Sequence, residues 1–266
     1  NNCDTLVDQD IDGDGWTAIN GDCDDANPAI NPAIPEDCTD GIDNNCDGVV
    51  DQGCLSPCDL AALTQSYLGC EFYAVDLPSE APVLVQVYQF QSILDAIRLS
   101  HPGEDMILVG HSAGGVVART ALVRGGADQV KALITIASPH LGTARAEQAL
   151  DATDIPFPFS LVTDFFGGDT YYTALRSRSL YVDLVRPRPG TLLYWLNGLP
   201  HPDIAYVSVV RGDATAGWGD YIVPGYSQDM NNIPQLQGKS SVVTIPMHHG
   251  LAIVDGGVLV DLLKDL

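Results

Sequence analysis

The chain has 266 residues, 45% of them hydrophobic, and a formal net charge of −23. That apolar share is enough for one sizeable core plus a smaller appendage, which excludes a disordered chain. The acidity argues against nucleic acid as a partner, because phosphate binding needs clustered Lys and Arg. No run approaches the roughly 18 to 20 apolar residues that a membrane span requires.

The charge is uneven. Residues 1–97 carry 19 acids and no Lys or Arg, whereas the remainder holds 16 acids against 12 basic groups. All seven cysteines, at 3, 23, 38, 46, 54, 58 and 70, fall in the first 70 residues. A stapled, loop-rich module ahead of a cysteine-free domain reads this way, and it points to an oxidising compartment, secreted or at the cell surface. No basic segment followed by an apolar one opens the chain, so the expectation is a mature or trimmed form.

Within the acidic front, NNCDTLVDQD at 1–10 recurs as NNCDGVVDQG at 44–53, a repeat with a period of 43 residues. Asp10, Asp12 and Asp14 precede Gly15 at alternate positions, the spacing with which an EF-hand-like loop wraps oxygens around Ca²⁺. Asp43, Asn45 and Asp47 before Gly48 repeat it, with Asp51 at the ninth position. Neither loop has Glu at position twelve, so neither is a standard EF-hand. The competing reading is a solvated acidic linker, which has no need of ordered cysteines. A redox metal fits less well, since carboxylate oxygens suit hard cations and the module has no histidine.

The segment DIDGDGWTAINGDCDDANPAINPAIPEDCTDGIDNNCDGVVD resembles the metal-binding repeat of bacterial surface and secreted proteins, and less closely the thrombospondin type 3 calcium repeats. The resemblance covers residues 1–54. It implies Ca²⁺ as a structural ion, with Asp22 and Asp25 as further ligands.

Beyond residue 70 the pattern alternates between strand and helix. CEFYAVDL (70–77) predicts a strand, and Val83, Leu84, Val87, Phe90, Leu94 and Ile97 fall at helical spacing. MILVGH (106–111) suits a strand buried on both faces, followed by a helix over Ala113 to Arg124. VKALITIAS (130–138), IAYVSVV (204–210) and SVVTIP (241–246) supply further strands, and a closing helix follows. Such alternation predicts an α/β fold, a mostly parallel sheet with helices on both faces. Three parts follow: a module over 1–54, a connecting segment over 55–69, and a domain over 70–266 with a cap or lid insertion at about 144–203. The aromatic stretch IPFPFSLVTDFFGG in that insertion reads equally as an acyl-binding wall or as the core of a helix pair.

VGHSAGG places Ser112 in Gly-x-Ser-x-Gly between a predicted strand and a predicted helix. In that context the pentapeptide is a nucleophile elbow: the glycines permit the sharp turn, and the helix N-terminus faces developing negative charge. A nucleophilic serine also needs a base and a carboxylate to orient the base. Asp220, in GWGDYIVPGYS, and His248, in PMHHGLAI, each stand just beyond a later predicted strand and in that order. His249 is the alternative base. Asp213 competes with Asp220 as the acid. His111 and His140 are assigned to packing or to orienting the turn, and His101 and His201, each before a proline, to loops.

LVGHSAGGVVAR, ITIASPHLGT, PGTLLYWLN, GDYIVPGYS and HHGLAI, in this order, resemble the alpha/beta-hydrolase lipases and esterases over roughly 106–266. The resemblance implies a triad of Ser112, His248 and Asp220, the Ala113 N–H in the oxyanion hole, and an apolar acyl ester as substrate, met in solution or at a lipid interface. One departure stands out: no His-Gly loop precedes the elbow to give a second oxyanion donor. If CEFYAVDL lies beside the MILVGH strand, Pro78-Ser79-Glu80 is the candidate loop. The gap motivates a rival reading, a calcium-dependent surface or adhesion protein with an inactive hydrolase portion. A third keeps the triad but cleaves a thioester or amide.

Overall fold

The computed structural model describes residues 10–34, 41–46, 48, 50, 71–153, 175–212 and 219–266. They divide into two compact units, Val75–Pro246 with Leu266, and Asn1–Ala74 with Met247–Asp265.

The larger unit is built on four strands, β1 (Met106–His111), β2 (Val130–Ile136), β3 (Ala205–Arg211) and β4 (Ser240–Ile245). They lie in the order β1-β2-β3-β4, and every neighbouring pair is parallel. Helix α1 (Val83–Ser100) precedes β1, and α2 (Ala113–Ala121) follows it directly. Next come α3 (Ala144–Thr153), α4 (Arg178–Asp183) and α5 (Leu192–Gly198) before β3, and the short α6 (Gly225–Gln228) before β4. The parallel sheet with helices matches the fold class expected from the alternating pattern.

Burial explains why these segments hold. In β2, Ala132 to Ile136 are buried without a break, so both faces of that strand are covered, as a run apolar but for Thr135 requires. Leu108, Leu133 and Tyr206 stand side by side in register on β1, β2 and β3. They pack with Leu94 of α1, Ala118 of α2 and Met230, Ile233 and Leu236. A second cluster joins Val83 and Val87 of α1, Val116, Val117 and Ala121 of α2, and Leu193 and Leu196 of α5. Helix α2 is buried at seven consecutive positions, Gly115 to Ala121, five of them small or apolar and the other two Arg119 and Thr120.

Four expectations change. In β1, expected to be buried on both faces, only Leu108 and Gly110 are buried and Val109 is exposed. Residues 71–78 form no strand, so the only strand paired with β1 among the described residues is β2. The condition for Pro78-Ser79-Glu80 as an oxyanion loop is therefore not met. Phe72, Val75 and Leu77 are only half-buried, whereas a central strand hides its apolar side chains. Leu84, placed on the apolar stripe of α1, is 36% exposed. The helix after Ser112 ends at Ala121 rather than Arg124, passing into a π-helical turn over Leu122–Gly126 in which Gly125 takes φ 100°. Residues 155–168, with the aromatic stretch of the insertion, lie outside the described residues.

In the smaller unit, Cys23 and Cys46 form a disulfide across a separation of 23 residues. The Asn31 N–H donates to the Asn44 carbonyl close by, at 2.9 Å. Helix α7 (Ile253–Asp265) begins with the Asp255 carboxylate accepting from the Ala252 N–H at 2.7 Å.

Candidate active site and metal centre

β1 runs straight into Ser112, which takes φ 50° and ψ −129° and is the N-cap of α2. A positive φ is uncommon for a non-glycine residue and is strained. It is held from both sides: the Ser112 N–H donates to the Ile136 carbonyl at 2.9 Å, and its own carbonyl accepts from the Gly115 N–H at 3.1 Å. The two glycines of the motif have steric reasons. A Cβ on Gly110 would stand 2.5 Å from the Gly115 Cα, and one on Gly115 would stand 2.8 Å from the Ser138 Cβ. Strand and helix thus cross closer than any side chain allows. The first N–H groups of α2, beginning with Ala113, lack intrahelical acceptors and sit at its positive end.

Asp220 lies nine residues past the end of β3 and is 2% exposed. Its Oδ1 accepts from the N–H groups of Ile222 at 3.0 Å and Val223 at 2.7 Å. Gly219 at φ 53° and Tyr221 at φ 68° make the sharp turn around it. The Tyr221 and Ile222 carbonyls accept from Arg145 and Thr143, which ties this turn to the start of α3. Asp213 lies outside the described residues. His248 and His249 follow β4, in the Met247–Asp265 stretch of the smaller unit, with His248 half-buried and His249 4% exposed.

In the smaller unit the structure brings Asp10, Asp12 and Asp14 together, with one carboxylate oxygen of each within 4.8 Å of the others. The Asp10 carboxylate closes the loop by accepting from Gly13, Asp14 and Gly15 N–H groups at 2.7, 3.1 and 3.0 Å. Asn31 donates to Asp14 Oδ2 at 2.6 Å. Asp12 Oδ2 and Asp22 Oδ2 are buried with no hydrogen-bond partner, which suits oxygens that ligate a cation. Burial first, and then the charges of Asp14, Asp22 and Asp10, raise the Asp12 pKa, with the Asp14 N–H opposing. Asp25 Oδ1 accepts from the Ile11 N–H at 3.2 Å. In the second loop Asp43 Oδ2 accepts from the Gly48 N–H at 2.8 Å, while Asp47 and Asp51 lie outside the described residues.

Comparison with known proteins bears on both units. Residues 22–52 match the Cu-binding MopE family, described as "Putative metal-binding motif", and residues 62–154 match the PGAP1-like alpha/beta domain. No curated protein matches the chain. Among solved structures, the mature form of a Bacillus licheniformis lipase aligns over 72% of this chain and 76% of its own, at 16% identity and TM-score 0.51. The fold is that of the alpha/beta hydrolases. A lipase-esterase related protein of Clostridium acetobutylicum aligns over 80% and 90% at 12% identity and TM-score 0.46. An esterase of a Rhodococcus species aligns over 76% and 82% at 16% identity and TM-score 0.46.

The larger unit also holds a polar cluster that the sequence did not announce. Arg119 of α2 is fully buried, and its Nη2 donates to Asn197 Oδ1 of α5 at 2.7 Å. Asn197 Nδ2 in turn donates to the His140 carbonyl at 3.1 Å, and His140 Nε2 stands 3.1 Å from Thr135 Oγ1 of β2. Arg119 follows three apolar residues in VVAR, so it reads as the polar end of a helix, and only tertiary packing turns it inward. His140, assigned to packing or orienting the turn, is part of this cluster. His201, assigned to a loop, is half-buried, with Nδ1 donating to the Leu199 carbonyl at 2.9 Å.

Proposed function

We propose that the chain is a secreted or cell-surface serine hydrolase acting on carboxylic esters, with a structural Ca²⁺ in its N-terminal module. The observation that carries the reading is Ser112 at φ 50° between a parallel strand and a helix, with two glycines that a Cβ would exclude.

In this reading Ser112 Oγ attacks the acyl carbonyl while His248 takes its proton. The carbonyl π electrons move onto oxygen, and the Ala113 N–H stabilises that charge. Collapse restores the carbonyl and breaks the C–O bond, and the alcohol leaves with the proton from His248. Water then repeats the sequence on the acyl-enzyme and frees the acid. Asp220, already oriented by two backbone donors, holds the tautomer of His248 and stabilises its imidazolium. The lipase and esterase identities of the aligned structures support an ester substrate. No helix among the described residues is long and apolar enough to cross a membrane.

Ca²⁺ fits the donor set, since Asp10, Asp12, Asp14 and Asp22 offer oxygen alone, which suits a hard cation better than copper. The Cys23–Cys46 disulfide supports an oxidising compartment. Ser112→Ala is expected to cut hydrolysis of short p-nitrophenyl esters by at least about 10⁴-fold. Turnover retained in that variant refutes the nucleophile assignment. The inactive-hydrolase reading draws support from β1 pairing only with β2 among the described residues, and the same assay separates it, because an inactive domain has no turnover to lose.

A further inference from the structure

Two peptide groups hold the Asp220 carboxylate, and each of them is held in turn from its far side. The Ile222 and Val223 N–H groups donate to Asp220 Oδ1 at 3.0 and 2.7 Å. An N–H and the carbonyl of the residue before it share one planar peptide unit, so fixing one end fixes the other. The unit that carries the Val223 N–H ends in the Ile222 carbonyl, which accepts from the Thr143 hydroxyl. The unit that carries the Ile222 N–H ends in the Tyr221 carbonyl, which accepts from Arg145 Nε at 3.3 Å.

Thr143 is the buried support of the two. It is 6% exposed, whereas Arg145 is exposed, so water can replace the guanidinium far more readily than the hydroxyl. The hydroxyl proton has a defined direction. Thr143 Oγ1 accepts from the Arg145 N–H at 3.2 Å at the start of α3, and its one hydrogen goes to the Ile222 carbonyl. The Thr143 backbone is itself fixed, because its N–H donates to the Leu184 carbonyl at 3.0 Å. Gly142 before it takes φ 75°, where a Cβ would stand 2.6 Å from the Val185 carbonyl. Ser227 Oγ clamps the same loop, accepting from the Leu141 N–H at 3.0 Å and donating to the Gly142 carbonyl at 2.7 Å. At the far end of the acid turn, Gln228 Nε2 donates to the Val223 carbonyl at 2.7 Å.

We propose that Thr143 is a positioning residue for Asp220, acting through a relay from the Arg145 N–H, through its own hydroxyl and the Ile222–Val223 peptide, to the carboxylate. The role rests on the reading of Asp220 as the acid of the triad. Hydrogen bonds in such a chain polarise one another, so the hydroxyl strengthens the Val223 N–H as a donor as well as aiming it. A carboxylate fixed at Oδ1 keeps one orientation, which is what holding a base in one tautomer requires.

The test uses the full, calcium-loaded chain and the rate at which a fluorophosphonate probe labels Ser112. Thr143→Val is expected to slow labelling about tenfold, and to lower kcat for p-nitrophenyl esters equally with KM within about twofold. Thr143→Ser keeps the hydroxyl and should stay within about twofold of the unaltered protein in both. A residue that acts through Asp220 loses its effect once the carboxylate is gone, so Thr143→Val added to Asp220→Ala should slow labelling by less than about twofold more. A folded Thr143→Val protein that labels at the unaltered rate overturns the proposal. So does a full tenfold loss in the Asp220→Ala background, which marks Thr143 as a support of the fold alone. Should the Val variant not fold, neutron diffraction from deuterium-exchanged crystals of the unaltered protein decides the question. The Thr143 deuteron is expected on the line to the Ile222 carbonyl oxygen, and a deuteron directed elsewhere overturns the relay. The same map separates this role from the hydrolase reading: a chain that takes up no probe fails as a hydrolase, while the relay to Asp220 stands or falls on that deuteron.

Discussion

Gly115 meets Ser138 so closely that a single methyl group would force the elbow helix off the sheet. Gly115→Ala is therefore expected to destabilise the protein by about 1–3 kcal/mol and to lower ester turnover with it, read by denaturant melts and a p-nitrophenyl assay. The cost falls on the Ser112 backbone, which is strained at φ 50° and stays there because strand, helix and the Ile136 carbonyl all hold it. Ser112 was legible in the sequence because Gly-x-Ser-x-Gly encodes its steric requirement in the motif itself. Arg119 was not legible. Its unusual state comes from burial by α5 and the loop after β2, contacts that no local spacing records.

At the scale of elements, β2 and β3 were readable because each is a short, largely apolar run that the sheet buries, and β1 and β4 because of their apolar and β-branched residues, although in β4 only Ile245 is buried. The stretch at 70–77 has the same aromatic and β-branched composition, yet residues 71–78 form no strand. Composition of that kind marks a chain fit for a half-buried pleated surface, and a ladder partner must still be present. The Asp10 loop was readable too, since alternate carboxylates before glycine specify the turn and the oxygen cluster together. Its electrostatics give a prediction with opposite signs. Without metal, the raised Asp12 pKa means that the folded loop binds more protons than the unfolded chain. Stability from this group is then full below the unfolded value of 3.8 and is lost as pH rises through the folded value. Asp12→Asn should accordingly stabilise the module at pH 7 in EDTA. In saturating Ca²⁺ it should destabilise the module and weaken calcium affinity about tenfold or more. Calorimetry in both conditions checks the inversion, and the same sign in both would remove Asp12 from the metal site.

On the scale of the whole molecule, the acidic, cysteine-rich front and the cysteine-free remainder perform separate tasks in this account, metal-linked stability and acyl chemistry. Chelation is expected to lower the melting temperature while leaving p-nitrophenyl ester turnover at 10 °C within about twofold, because bound metal stabilises by mass action and takes no chemical step. Unchanged melting in EDTA contradicts the structural role of the ion. Reaction of the native protein with a fluorophosphonate probe, followed by peptide mapping, tests the proposal that Ser112 is an activated nucleophile. One adduct is expected, on the peptide bearing Ser112, with labelling slowed at least about 10²-fold in His248→Ala. A folded, calcium-loaded protein that takes up no probe at Ser112 contradicts it.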